Sequence, residues 1–406
     1  MTKKLFIITG EHSGDTHAAA VVKQIKDLNT NIEIEAIGGV GLRELGVKLF
    51  VDHSKMSAVG LTPKILLDHI FLGKRVVDYL KKEYKPDLVL LIDYGVFNLN
   101  ISKFLKKQGK QGKVGIKVYY YIPPQIWASR KWRINTVKKN IDKVMTIFPF
   151  EKSMYEKEGI EAEFVGHPLV SQLPPEADKD EFFEKYGLDK NKKLVSIFPG
   201  SRSFELKNLM PVFLKAAQII KSKNNNVQFI ISQAPNIKDE TFEASLRGGH
   251  KPDAAIQKNT TGLLRHFVPC NDETSYIPVI KGDNHSLLST SDALILASGT
   301  VALEAALYQT PMIISYKGPW LYYFAYRLVR CIKRVCLPNI IMDKDIVPEL
   351  LQSNSKPEII AENILKLIND ESARNAMIAD LSKVKEILSS KDSSTEVANI
   401  IVQALR

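Results

Sequence analysis

The chain has 406 residues, 45% hydrophobic and 25% charged, with a formal net charge of +11. That length exceeds one ordinary core and makes two domains the default, and the composition excludes a disordered chain. No run of about 18 apolar residues occurs, which argues against a spanning helix, while the positive charge points to an anionic partner such as a phosphorylated metabolite, acidic lipid or nucleic acid.

The opening MTKKLFIITGEHSGD lacks the apolar stretch and cleavage site of a secretory leader, so its short hydrophobic run reads as a first strand over residues 4–9. A cytosolic protein is expected. Further strands are predicted at 32–37, 47–51, 87–92, 116–121 and 143–148. Several are apolar without alternation, as strands covered on both faces are. Pro168, Pro174 and Pro175 in a polar setting mark a linker. A second series follows at 194–198, 227–232, 293–297 and 312–315, and residues 371–406 read as helices. The predicted fold is α/β: two tandem Rossmann-like doubly wound domains facing across a cleft, over 1–170 and 171–375, with C-terminal helices over 376–406. Cys270, Cys331 and Cys336 are odd in number, which fits a reducing compartment; their spacing suits no zinc site.

In open α/β sheets, ligands bind beyond the carboxyl ends of the strands, so the loops there are the places to look for chemistry. The first such loop, TGEHSGD, places Glu11 and Asp15 where a pyrophosphate would lie, and their charge predicts that the first domain does not hold a nucleotide. His12 is the one histidine whose loop draws notice. Asp93, in LLIDYGVFNLN, closes a buried strand and is a candidate general base; a turn or cap aspartate is the plainer alternative. FPGSRSFEL places Gly200, Ser201 and Arg202 between a strand and a helix. Bare amides and a guanidinium there suit phosphate, although a plain strand–helix turn would use the same residues. Ser298, Gly299 and Thr300 repeat the pattern, and Glu304 one turn later is placed to accept from a ribose diol. Asp343-Lys344-Asp345 is formally a metal-type DxD, but so short a pattern recurs by chance and no metal is expected.

Two segments have the composition of membrane-surface helices. Residues 62–85 combine Ile65, Leu66, Leu67, Ile70, Phe71 and Leu72 with a Lys/Arg-rich half, and residues 319–336 carry Arg327, Arg330 and Arg334 opposite Leu321, Phe324, Leu328 and Ile332. Packing helices between domains would look similar. No nucleic-acid-binding motif occurs, and no nucleic-acid partner is expected.

The ordered series TGEHSGD, AIGGVGLRELGV, MSAVGL, LLIDYGVFNL, YYIPPQIWASR, FPFEKSMYEKEGIEAEFVGHPL, FPGSRSFEL, ASGTVALEAALYQTPMIISYK and LPNIIMDKDIVPELLQ resembles the lipid-A-disaccharide synthases of Gram-negative bacteria; only about 235–275 has no counterpart. The resemblance implies a metal-free, cofactor-free glycosyltransferase of the two-Rossmann-domain (GT-B) type. It would join UDP-2,3-diacylglucosamine to 2,3-diacylglucosamine 1-phosphate (lipid X), giving the β-1′,6-linked disaccharide 1-phosphate and UDP. Peripheral association with the anionic inner face of the cytoplasmic membrane is implied, and a homodimer is compatible with it. By resemblance Asp93 is the base, Asn339 and Glu349 contact the donor, and Glu11 and Ser13 line the acceptor side with Trp127 near it. Two departures stand out: Gly95 replaces the family's proline after Asp93, with Val96 next, and WASR lacks a second tryptophan. A UDP-N-acetylglucosamine 2-epimerase-like enzyme and a non-catalytic UDP-sugar- or lipid-binding paralogue are the alternatives.

Overall fold

The computed structural model describes residues 2–28, 30–53, 63–106, 116–246, 257–258, 264–267, 276–318 and 333–406. The MSAVGL stretch, Cys270, Cys331 and the segment 319–332 lie outside these residues, as do the side chains of Ile65, Leu66 and Leu67. The chain forms two compact units, one of Met1–Ser171 completed by Leu388–Arg406, the other of Gln172–Leu328 and Lys333–Ile387.

The first unit is built on seven parallel strands, β1 (Lys3–Ile8), β2 (Ile32–Gly38), β3 (Lys48–Asp52), β4 (Leu88–Ile92), β5 (Lys117–Tyr121), β6 (Lys143–Thr146) and β7 (Ala162–Phe164), in the order β3-β2-β1-β4-β5-β6-β7. Between them run α1 (His12–Asp27), α2 (Val40–Glu44), α3 (Pro63–Tyr79), α4 (Gly95–Lys106), α5 (Ile134–Asn140) and α6 (Pro149–Lys157). Every residue of β4, LVLLI, is buried because the central strands of such a sheet are covered on both faces. Strand order reverses between β1 and β4, so the loops holding Glu11 and Asp93 flank the crevice this topology creates.

The second unit repeats the plan. β8 (Lys193–Phe198), β9 (Val227–Gln233), β12 (Tyr276–Lys281), β13 (Ala293–Ala297), β14 (Met312–Tyr316) and β15 (Glu349–Leu351) are parallel, in the order β12-β9-β8-β13-β14-β15, and β10 (Gln257–Lys258) and β11 (Leu264–Phe267) add antiparallel strands beyond β12. Here the reversal falls between β8 and β13, the strands that end in the Gly200 and Gly299 loops. The fold class is therefore as expected, two parallel-sheet α/β units with C-terminal helices. Strands β7, β12 and β15 are additions to the sequence reading, as are β10 and β11.

The helix Ser393–Leu405 packs on α1 of the first unit and is capped by Asp392, whose carboxylate accepts from Thr395 N at 2.8 Å. Lys117 Nζ donates to Ala404 O at 2.8 Å. Gly166, with φ +88°, lies under the chain entering this helix: a Cβ there would stand 2.2 Å from the Lys391 carbonyl oxygen.

Two histidines in this unit are held neutral by desolvation, His17 to a pKa of about 4 and His167 to about 3, the latter also lowered by His17. Between those values and the ordinary 6.5 the unfolded chain binds protons that the folded chain refuses, so their stabilisation is full above pH 6.5 and drains away as pH falls. Glu151 has the opposite sign, since burial lifts its carboxyl to about 7 and folded stability falls as pH rises through that value. In thermal melts His167→Gln is therefore expected to lose less Tm than wild type between pH 6.5 and 4, because it removes one of the two histidine protonation differences.

Candidate active site

In the second unit the loops after β8 and β13 enclose a cavity of about 430 Å³. It is lined by Gly200, Ser201 and Arg202 from one loop, by Ser298, Gly299 and Thr300 from the other, and by Glu304 from the helix Val301–Leu307 that follows. The sequence reading is thus brought together at seven positions. Desolvation lifts the Glu304 carboxyl above the usual carboxylate range, partly offset by His285. A half-desolvated carboxylate accepts hydroxyl hydrogen bonds strongly, which suits recognition of a diol.

The amides expected to stay bare are not bare. Glu205, in the first turn of the helix Ser203–Lys223 and buried, sends one carboxylate oxygen, Oε2, back to accept from Ser201 N at 3.0 Å and Arg202 N at 3.3 Å. Its other oxygen meets Arg202 Nη1 at 3.1 Å. A glutamate three residues into a helix satisfies the free amides at the start, and the helix dipole favours its charge there. Gly200, at φ +113°, is required by this arrangement, because a Cβ would stand 2.5 Å from the same carboxylate. The Arg202 side chain stays largely exposed and remains the cationic group of the site. Asn236 pins the loop from outside by donating to Ser201 O at 2.9 Å, and Asn284 accepts from Ser232 at 2.6 Å. Glu205, Ser232, Asn236 and Asn284 all line the cavity and all escaped the sequence reading.

Asn339 and Glu349 do not line this cavity. Asn339 is fully buried; its amide donates to Val347 O and Glu349 Oε1 and its oxygen accepts from Ile346 N and Val347 N, all at 2.8–2.9 Å. Glu349 also takes the amides of Val335 and Cys336. The pair holds residues 335–349 together, and the donor contact that the resemblance implies for it lies outside the cavity described above. Asp343 and Asp345, the DxD carboxylates, both pair with Arg334 at 2.5 Å.

In the first unit Glu11 and Ser13 are exposed at the start of α1. Asp15 is buried and turned away from that loop, its two oxygens accepting from Gly39 N and Gly41 N at 2.7 Å each. It clamps α1 to the turn after β2. Asp93 follows β4 with φ 49°. Its carbonyl accepts from the Tyr120 hydroxyl at 2.7 Å and Asn98 Nδ2 at 2.8 Å, and its N–H donates to Tyr121 O at 3.1 Å. Burial raises its carboxyl above the ordinary value, opposed by the dipole of the adjacent Tyr94 N–H and reinforced by the charge of Glu11. Gly95 stands where the family has proline; its α-carbon lies against Pro124, so close that a Cβ would be 3.2 Å from that ring. Trp127, expected near an acceptor, is an interior residue: its Nε1 donates to buried Glu151 at 2.8 Å and its ring packs edge-on to Phe150.

The family profile described as lipid-A-disaccharide synthetase matches residues 5–404. Lipid-A-disaccharide synthase 1 of Legionella pneumophila is 35% identical over 405 residues, spanning 99% of this chain and 97% of its own. Lipid-A-disaccharide synthase of Coxiella burnetii is 34% identical over 403 residues, 98% of each. Among solved structures, MurG of Acinetobacter baumannii superposes with a TM-score of 0.58 at 14% identity, covering 99% of this chain and 100% of its own. UDP-GlcNAc 2-epimerase of Neisseria meningitidis bound to UDP-GlcNAc gives 0.57 at 14%, covering 99% of each. At that identity the two share the fold alone, so the epimerase alternative gains nothing beyond it. With a profile spanning nearly every residue and whole-length relatives above 30% identity, the chain belongs to the lipid-A-disaccharide synthetase family.

Proposed function

We propose that the chain transfers a 2,3-diacylglucosamine unit from its UDP conjugate to the 6-hydroxyl of 2,3-diacylglucosamine 1-phosphate. The C1′–O6 bond forms, the bond from C1′ to the UDP oxygen breaks, and the acceptor proton passes to Asp93. The observation that carries this reading is the cavity at the reversal point of the second sheet, with Arg202 and Glu304 on its walls. Its volume falls in the range of small-molecule sites. Arg202 would stabilise the charge developing on the departing diphosphate, Ser298, Gly299 and Thr300 would hold it, and Glu304 would take the ribose. Asp93, Glu11 and Ser13 give the first domain the acceptor role. Mass spectrometry of products from the acylated UDP-sugar plus the acylated sugar 1-phosphate tests this; turnover of the unacylated UDP-sugar alone would overturn it. Arg202→Ala is expected to weaken UDP binding about tenfold in calorimetry, the scale of a lost charge-assisted contact.

The same reading places the first domain on the anionic inner face of the membrane. Among the described residues no helix is long and apolar enough to cross a bilayer. α3 packs on α4 and α4 on α5, and these neighbours expose Ile70 and Phe71, Val96, and Trp132 just before α5, beside Lys74, Arg75 and Lys131. Apolar side chains among cations suit an acidic lipid surface. Leu72, grouped with Phe71 in the sequence, is instead core at 8% exposure against 60%. Phe71→Ser is therefore expected to weaken flotation with anionic vesicles while leaving the melting transition in place.

A further inference from the structure

We infer that Glu205 is a positioning residue for Arg202: one buried carboxylate ties both ends of the arginine and so holds its guanidinium at the cavity before the diphosphate departs. The inference rests on the contact proposed above between Arg202 and the leaving UDP.

Arg202 has extended backbone and directly precedes the helix Ser203–Lys223. Its side chain is 69% exposed, and so long a side chain in water samples many rotamers unless its tip is held. Glu205 holds it at two points. Oε2 accepts from the Arg202 N–H at 3.3 Å and Oε1 accepts from Nη1 at 3.1 Å, so the main chain and the guanidinium of one residue are joined through a single carboxylate. Among the described residues no other side chain bonds the guanidinium, which leaves Nε and Nη2 for a ligand.

The anchor is itself firmly seated. The Glu205 side chain is only 4% exposed. Oε2 also accepts from Ser201 N at 3.0 Å, and the Gly200 backbone closes over the side chain so tightly that a Cβ there would lie 2.8 Å from the Glu205 Cβ. Asn236 secures the loop from its other side through Ser201 O. An exposed ion pair ordinarily contributes little, because two long side chains must both be ordered to form it. Here one partner is ordered already by burial and by the loop amides, so only the guanidinium has freedom to lose. Arg202, Glu205 and Asn236 all line the cavity. A cation placed ahead of the reaction stabilises the charge that develops on the leaving oxygen without reorganising during the step, so the contribution of Glu205 belongs to kcat more than to ground-state binding.

The test is a double-mutant cycle of Glu205→Gln and Arg202→Ala in the full-length protein, with both acylated substrates in mixed micelles. Glutamine keeps the shape of the side chain and one acceptor oxygen for the Ser201 and Arg202 amides, but it turns an NH2 group towards Nη1 and releases the guanidinium. Glu205→Gln alone is expected to lower kcat about tenfold. UDP affinity in calorimetry is expected to stay within about threefold of wild type, because the lost ordering and the removal of a negative charge from the cavity wall act in opposite directions. In the Arg202→Ala background the same change is expected to alter kcat by less than about twofold. Equal losses of kcat in both backgrounds would overturn the inference, since a helix cap acts whether or not the arginine is present. So would wild-type kcat in Glu205→Gln, or a fall in its UDP affinity as large as that of Arg202→Ala. Should Glu205→Gln fail to fold, Arg202→Lys at the exposed position carries the test: one ammonium cannot bond carboxylate and phosphate through separate nitrogens, so kcat is expected to fall about tenfold with UDP affinity near wild type. Wild-type kcat in Arg202→Lys overturns the inference. If Arg202→Ala leaves both UDP affinity and turnover unchanged, the proposed diphosphate contact itself fails; if Arg202→Ala is impaired while Glu205→Gln costs the same in both backgrounds, this inference alone fails.

Discussion

Asp93→Ala is expected to reduce turnover about 100-fold or more, the scale of a positioned general base, while UDP binds with unchanged affinity. The separation follows from where the groups reside: every residue lining the cavity belongs to the second unit, whereas Asp93 closes β4 of the first. Burial and Glu11 hold the carboxyl above its ordinary value, which brings it nearer the working pH and makes it a better proton acceptor. Only the ionised form accepts the proton, so the rate falls as pH drops through that raised pKa. Asp93→Asn keeps the size and shape of the side chain and separates the charge from the geometry. Product quantification paired with UDP calorimetry decides the matter, and wild-type turnover in Asp93→Ala removes the residue from the mechanism.

Gly166→Ala is expected to cost at least about 3 kcal/mol of folding stability, through positive-φ strain together with a clash that only backbone movement relieves. The glycine has φ +88°, and the added methyl carbon would stand 2.2 Å from the Lys391 carbonyl oxygen, well inside any contact distance. The segment displaced is the one that delivers Asp392 and the helix Ser393–Leu405 onto α1, so the damage spreads to the bonds from Lys117 to Ala404 and from Thr395 to Asp392. Urea unfolding followed by fluorescence should show a lower midpoint in Gly166→Ala. Gly159→Ala is the comparison: φ is +72°, but nothing lies within 4 Å of the new carbon, so strain acts there without the clash. Equal midpoints for the two variants would refute the contact argument.

Local pattern carried much of this fold. Runs such as LVLLI and ALILA are apolar at every position because both sheet faces are covered, and no helix of that length would need it. β12 was hidden by Pro278, which reads as a breaker yet is accommodated where the strand pairs with antiparallel β11 on one side and β9 on the other. β15, three residues long, has no pattern to read. The loops at Gly200 and Gly299 were legible because strand-end glycine, hydroxyl and arginine announce themselves locally. Glu205 also had a local signal, a carboxylate three residues beyond the helix start, that went unread. Asp15 and Trp127 had none: their roles are set by Gly39 and Gly41 in another turn and by a buried Glu151 in another helix.

The first unit is completed by Leu388–Arg406, a stretch that follows the second unit in the chain. During synthesis the α1 surface therefore stays uncovered until the whole second unit has been made, because the helix that covers it follows that unit in the chain. A chain cut between Ile387 and Ser393 would hold every residue of the second unit and leave the first without its closing helix.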